Sequence, residues 1–493
     1  MKKSIGLLFG AGAEIAYGLP SGGKLALDIF RNDNNGKKEF KNILEKKIKS
    51  SSKYANSWLP KNFETKLISS FGKNEYRQII DSTLENKRYM ILSFVRDFDN
   101  KAKALLKTDD FKTLEIDKCF QDITKETPEN YYLNNDIAMH QFLNDQINLF
   151  SSTYFSLFMK VIQTKEKDTL NLKKIIRAFI ELWIGAIGQE FLQDINTNIF
   201  QTKNDTFSLD IFSDFTDFFS FNSKHISCLD ILYSNNNFEC KETSSNYNKI
   251  TFFAFKLLIQ LLESSIDYQE LVDSYYNYLY KPQSEWTKFC KISTFLYGVQ
   301  KYITKNEKIY KEKAKEDGYY ADLRNFPSDS YELHIGTTNY NRLIEGEVFY
   351  LNGSVDDYYD PYQNKILTTE ENKKSEHITV PLLFTQSGIK PITSVSMTLR
   401  YSQYYNNLKN SDLIAVLGFG FNSDDGHINC LFRELVLQKK KIFIFDHGNK
   451  GKRFYLDKLR LEEDYETLKV MPIDSQRKSG DEYWYNILIN EVS

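Results

Sequence analysis

The sequence predicts an α/β protein: a parallel, doubly wound sheet interrupted by a large, mostly α-helical insertion. Three observations carry this. After residue 325, short apolar runs alternate with helical patterns. From about 37 to 325, apolar residues recur at helical spacing. Near the start, one isolated apolar run at residues 5–9 ends in glycines. A single strand cannot form a sheet, so this run is expected to join the strands of the last third. The result is a discontinuous α/β domain, 1–36 plus 326–493, and a helical insertion domain, 37–325.

Ile5 to Phe9 is an unbroken apolar run closed by Gly10, the pattern of a buried strand entering a glycine turn. Residues 21–31 follow as a helix, with Ser21 as N-cap and Leu25, Ile29 and Phe30 along one face. Inside the insertion, the segments 143–163, 173–193 and 252–266 read as helices. Beyond 325, strands are expected at 331–335, 347–351, 378–384, 412–418, 441–446 and 467–471. Helices are expected between them at 394–410 and 427–439.

Composition narrows the function classes. Hydrophobic residues at 41% and charged residues at 26% are globular proportions, not those of a disordered chain. A formal net charge of −2 gives no bulk electrostatic reason to hold nucleic acid or an anionic membrane. The apolar run after the first lysines is too short for a signal peptide. The most apolar stretch, 174–188, carries Arg177 and Glu181, so no membrane span is expected. The five cysteines are scattered without a CxxC pair. Neither a disulfide framework nor a zinc ribbon is expected; a reducing cytoplasm fits, and no metal is called for.

Four stretches carry chemistry. In FGAGAEIAYGLPSGG (9–23), Gly10-Ala11-Gly12 lets backbone N–H groups approach a pyrophosphate, because glycine has no Cβ in the way. A tight turn without ligand accounts for the same residues. A P-loop pattern overlaps it, running from Gly18 to Gly23 and Lys24. Leu25 stands where the magnesium-binding Ser or Thr belongs, and the motif does not follow its strand directly. The other three stretches are IGTTNYNRL (335–343), VFYLNGSVD (348–356) and IAVLGFGFNSDDGHIN (414–429), all at carboxyl ends of expected strands. In an open parallel sheet those ends converge on one crevice. Turn chemistry competes as an explanation for their Gly, Asn and Asp.

Taken in order, GAGAE…GLPSG, GTTNYN, LNGS and LGFGFNSDDGHIN resemble the sirtuin-like domain of bacterial anti-phage defence proteins, over roughly residues 1–30 and 330–450. The resemblance implies a Rossmann-like sheet that binds NAD as substrate or ligand. In many members it implies an NAD hydrolase that depletes cellular NAD when phage is sensed, an abortive infection. It places Gly10, Ala11 and Gly12 at the phosphates, and Pro20 and Ser21 in the loop over the nicotinamide. Asn339 would contact the ribose and hold the attacking water, with Thr338 and Asn341 beside it. Gly418 and Gly420 would lie near the adenosine half. Asp424, Asp425 and His427 fall in a segment whose helix start packs beside the site.

Two departures bear on activity. Asn341 stands where the family carries an acidic residue, and Asn352 stands where it carries a histidine. Asparagine cannot shuttle a proton. Asn339 and Asn352 therefore occupy the catalytic positions, and three readings stay open. The domain binds NAD or ADP-ribose without cleaving it, as a sensor. It uses another base: Glu14, whose competing role is capping the next segment, Asp356, or His334, which also reads as a core histidine. Or this copy is inactivated. His140, His225 and His377 have no partners suggested by the sequence. Nothing matches the four-cysteine module of protein-deacylating sirtuins, so deacylation is not expected. The size and position of the helical block suggest a surface for homo-oligomer assembly, or for sensing a phage protein or a partner defence protein.

Overall fold

A computed structural model describes residues 2–20, 22–31, 34–129, 151–164, 166–187, 240–385 and 394–493. Its six-stranded parallel sheet consists of β1 (Lys3–Phe9), β2 (Tyr331–Thr337), β3 (Val348–Tyr350), β4 (Leu413–Leu417), β5 (Ile442–Asp446) and β6 (Leu468–Pro472). The spatial order is β3-β2-β1-β4-β5-β6. This is the order of doubly wound sheets, in which the winding reverses between β1 and β4. β1 lies in register with β2 from Lys3↔Tyr331 to Phe9↔Thr337, and with β4 from Ile5↔Leu413 to Phe9↔Leu417. The isolated N-terminal run thus joins the strands of the last third.

The helix α1 (Gly22–Arg31) follows β1, and four helices frame the sheet: α2 (Val395–Asn410), α3 (Gly426–Leu437), α4 (Gly451–Leu459) and α5 (Trp484–Val492). Side chains alternate across the strands and sort into two cores. Ile5, Leu7 and Phe9 join Leu413, Ala415 and Leu417 in a cluster with Trp484 and Leu488 of α5. On the opposite face, Tyr404 of α2 fills the hollow at Gly336, where an added Cβ would meet its ring at 2.3 Å. Its hydroxyl donates to the Leu7 carbonyl at 2.8 Å. Ser394 caps α2 by accepting from the Met397 N–H. Ser21, the expected cap of α1, lies outside the described residues.

The run at 378–384 departs from expectation. Val380–Pro381 does not enter the parallel sheet. It pairs antiparallel with Tyr358–Asp360, which also pairs with Lys365–Leu367 in a separate three-stranded sheet. Pro381 has no N–H to give a central ladder, which confines the strand to an edge.

The chain divides into two compact units: Met1–Leu25, Asn32–Phe71 and Gln269–Ser493 in one, Ala26–Arg31 and Gly72–Tyr268 in the other. Helical stretches read from sequence as part of the insertion, 37–71 and 269–325, therefore belong to the unit of the sheet. Tyr297 donates to the Thr379 carbonyl at 2.8 Å and Gln300 to the Val355 carbonyl at 2.6 Å, which holds the helix Trp286–Thr304 there.

Among the described residues the second unit is all helical. Thr153–Gln163, Leu170–Ile187 and Asn246–Ser265 match three expected helices; 143–150 and 188–193 lie outside the described residues. Phe98, Phe155 and Phe179 meet edge to face in its core. Asp99 accepts from the Thr153 N–H at 2.9 Å, an acid at a helix N-terminus. No described helix is long and apolar enough to cross a membrane.

Gly336→Ala drives a methyl into the fully buried Tyr404 ring. We expect a stability loss of roughly 1–3 kcal/mol in urea unfolding, partly recovered by Tyr404→Leu. An unchanged unfolding midpoint would mean that the ring has room to retreat.

Candidate active site

At the carboxyl edge, the backbones leaving β1 and β4 run against each other. Gly10 N–H donates to the Leu417 carbonyl and Gly12 N–H to the Gly418 carbonyl, both at 2.9 Å. A Cβ on Gly10 would lie 2.6 Å from the Gly418 carbonyl oxygen; one on Gly418, itself at φ +66, would lie 2.2 Å from Ala13 N. Two chains crossing this closely require glycine whether or not a ligand binds. Two of the N–H groups expected to face phosphates are thereby committed to protein carbonyls. Gly10, Gly12 and Gly418 meet as expected, but for a reason of packing.

The turn continues as a 3₁₀ helix, Ala11–Tyr17, which carries Glu14 inward. Glu14 is 3% exposed. Its Oε1 accepts from the Tyr320 hydroxyl at 2.8 Å, and the Asn341 amide approaches Oε2 at 3.4 Å. Burial pushes its carboxyl up to about 7, against the opposing pull of the neutral donors around it, Tyr320 first. Asn339 is positioned by the end of β2: its N–H donates to Thr337 Oγ1 at 3.0 Å. Its Nδ2 donates to the Gly10 carbonyl at 3.0 Å and to Tyr320 Oη at 3.1 Å. Both amide protons are spent, which leaves Oδ1 as an acceptor. Asn341 is 3% exposed, and its Oδ1 accepts no hydrogen bond from the described residues. Thr338 anchors the same edge by donating its N–H to the Phe9 carbonyl at 3.0 Å.

A second cluster lies at the end of β3. Asn352, 4% exposed, accepts at Oδ1 from His427 Nε2 at 2.8 Å. An amide oxygen cannot donate, so His427 Nε2 is the donor and carries a proton. His427 is the second residue of α3 and is flanked by the Phe384 and Tyr401 rings. The Phe384 N–H donates to the Asn352 carbonyl, and Tyr340 Oη donates to the Phe384 carbonyl at 2.7 Å. This path links the second cluster to the residue beside Asn339.

The remaining expectations fall as follows. Ala11 is exposed and Pro20 half-buried. A Cβ on Gly420 would meet the Asn422 side chain at 3.6 Å, an ordinary contact, so this position does not require glycine as Gly418 does. Asp424 and Asp425 form the 3₁₀ turn ahead of α3. Asp356 is half exposed and pairs with Arg342 at 3.2 Å, so it does not join the Glu14 cluster. His334 stays mid-strand in β2. Gly18 caps the 3₁₀ helix and Lys24 rides on α1, so no loop of the P-loop kind runs from the end of β1. His377, given no partner by the sequence, has Asp360 at 2.7 Å and a stacked Tyr54 ring. His140 and His225 lie outside the described residues.

Tyr17, Tyr319, Tyr320 and His447 were not legible as site residues. Tyr320 N–H donates to Tyr17 Oη at 3.0 Å, and Tyr319 Oη meets His447 Nε2 at 2.8 Å. Tyr320 meets Glu14 across 306 positions, and no local motif marks it. No protein-family model, curated relative or solved structure matches the chain.

Glu14 favours its protonated form in the folded state, so its stabilising contribution is full below its ordinary value of 4.5 and is lost as pH rises through about 7. Relative to Glu14→Gln, the wild type should lose roughly 3 kcal/mol of unfolding free energy between about pH 4 and about pH 8. Parallel stability curves for the two proteins would contradict a buried, proton-holding Glu14.

Proposed function

We propose that the carboxyl edge of the sheet binds NAD and hydrolyses its nicotinamide–ribose bond, in a sirtuin-like domain of the kind found in bacterial phage defence. The observation that carries this reading is the Glu14–Tyr320–Asn339 cluster beside the β1/β4 reversal. The ordered motifs and the 3-2-1-4-5-6 strand order support it.

The chemistry of the donor set fits a sugar. Asn341 Oδ1 is a buried acceptor without a donor among the described residues, and Asn339, with both amide protons spent, has its Oδ1 left to accept; ribose hydroxyls and water are donors. Glu14, with its proton affinity raised to near neutrality, exchanges a proton at working pH, as a general base must. In this reading Asn339 Oδ1 holds a water, and Glu14 takes its proton as the oxygen attacks the anomeric carbon. Nicotinamide leaves neutral with the electrons of the broken C–N bond. The Glu14 carboxylate also offsets the positive charge that grows on the sugar. Gly10 and Gly12, whose N–H groups are already given to Leu417 and Gly418, lend shape at the reversal rather than donors.

A second reading, binding NAD or ADP-ribose without turnover, is favoured by one observation. At position 352, where the resembled domains carry a histidine, an asparagine spends its oxygen on His427. In either reading we assign the helical unit to homo-oligomer assembly, or to sensing a phage protein or partner defence protein.

Purified full-length chain incubated with NAD should release nicotinamide. Glu14→Gln and Asn339→Ala should each cut the rate by about 100-fold or more. Saturable NAD binding without release, converted to release by Asn352→His, would establish the second reading. A chain that neither binds nor cleaves NAD refutes both.

A further inference from the structure

Asp317 and Asp322 bracket the turn that delivers Tyr320, and Arg477 grips both. Its Nη2 donates to Asp317 Oδ1 at 2.6 Å and its Nε to Asp322 Oδ2 at 2.8 Å. Trp484 Nε1 donates to the same Asp322 oxygen at 2.8 Å. The Arg477 side chain is only 11% exposed. Its backbone is pinned as well: its N–H donates to the Asp474 carbonyl, and its carbonyl accepts from the Trp484 N–H, both at 3.1 Å. A planar guanidinium spans two carboxylates in fixed geometry; a lysine ammonium does not.

Between the two anchors the chain has little freedom. Gly318, at φ +96, packs on Tyr17, where a Cβ would meet the ring at 2.5 Å. The next N–H but one, that of Tyr320, donates to Tyr17 Oη. The Tyr320 hydroxyl then falls on Glu14 Oε1 and within reach of Asn339 Nδ2.

We propose that Arg477 is a positioning residue: by clamping Asp317 and Asp322 it fixes the Tyr320 hydroxyl on Glu14 and so governs the charge state of that carboxyl. Its catalytic meaning rests on the NAD-hydrolysis reading; the clamp does not. A hydroxyl donating to a carboxylate favours the charged form, so a slack clamp leaves Glu14 protonated to higher pH. Among the described residues, the titratable groups that face Glu14 are Tyr17 on its own 3₁₀ helix, Tyr320, and Tyr350 of β3. Burial raises all three above the ordinary tyrosine value, so they stay neutral near pH 7. Asp317 and Asp322 pair with Arg477, Asp322 and Asp474 bear on Tyr319, and none of the three hydrogen-bonds Glu14.

The test is an infrared pH titration of the full chain without NAD, following the protonated-carboxyl band that disappears in Glu14→Gln. Tyr320→Phe should move the Glu14 midpoint up by roughly 0.5–1 pH unit, the worth of one hydrogen bond. Arg477→Gln should move it the same way, and the double variant no further than Tyr320→Phe alone. Arg477→Lys should recover only part. Asp317→Asn, at an exposed carboxylate, repeats the test from the other end should Arg477→Gln not fold. A midpoint that stays at the wild-type value in Asp317→Asn and in every folded Arg477 variant overturns the proposal. So does a midpoint that Tyr320→Phe leaves in place. The acid limb of NAD cleavage should follow the same shifts; a wild type that cleaves no NAD would count against the hydrolysis reading alone, with the infrared result standing.

Discussion

β1 is hydrogen-bonded along both edges, to β2 on one side and β4 on the other, and residues 5–10 are buried throughout. A one-residue slip would move Ile5, Leu7 and Phe9 out of the core they share with Trp484, and would drive Leu408 of α2 against a side chain instead of Gly6. The register is therefore over-determined, and with it the position of everything that follows Phe9. Glu14 is buried because β1 ends where it does, under the turn that returns to β2.

The partners given to that carboxylate decide its chemistry. Asp357, 5% exposed, lies between Arg342 and Arg400, with guanidinium nitrogens at 3.4 and 3.1 Å. Glu14 is as deeply buried, yet among the described residues its hydrogen-bond partners are a phenol and an amide, with no arginine or lysine. Neutral donors recover only part of the hydration that a buried charge loses, whereas a paired cation recovers far more. Neutral partners thus leave Glu14 near its midpoint at neutral pH, the condition for giving and taking a proton rather than holding a fixed charge. Replacing Tyr320 by a cation would tie the site down more firmly and remove that capacity.

Much of the sheet could be read from the sequence, because buried parallel strands are continuous apolar runs and Gly, Asn and Asp mark their exits. Five of the six runs expected after residue 325 became strands of the parallel sheet. The sixth failed at Pro381, a residue that itself argues against a central strand. The convergence of Asn339 with Gly10 followed from topology alone. What could not be read were contacts across the insertion. Tyr320 sits in GYYAD, where tyrosines are common and nothing local distinguishes it, and Arg477 reads as one more charged residue in a turn. The glycines were legible as a close approach but not as the approach of one strand end to another, since a turn that admits a phosphate and one that admits a backbone need the same missing Cβ. Position 352 was seen to lack histidine; that α3 supplies His427 to its amide required coordinates.

The helical insertion does more than separate two strands. Phe9 and Thr337 pair across 328 positions, and a loop of that length costs little extra in free energy because closure entropy rises only with the logarithm of length. The cost falls on folding rate, since contacts so distant in sequence form late unless intervening structure brings the ends together. The segment that brings the chain back to β2 is the one carrying Asp317, Tyr319, Tyr320 and Asp322. Its tyrosines close over Glu14 and His447, and its carboxylates are held by Arg477 from beyond β6. The return of the chain to the sheet and the enclosure of Glu14 are therefore one structural event. An insertion at this point of the topology can shape the site without contributing a strand to it.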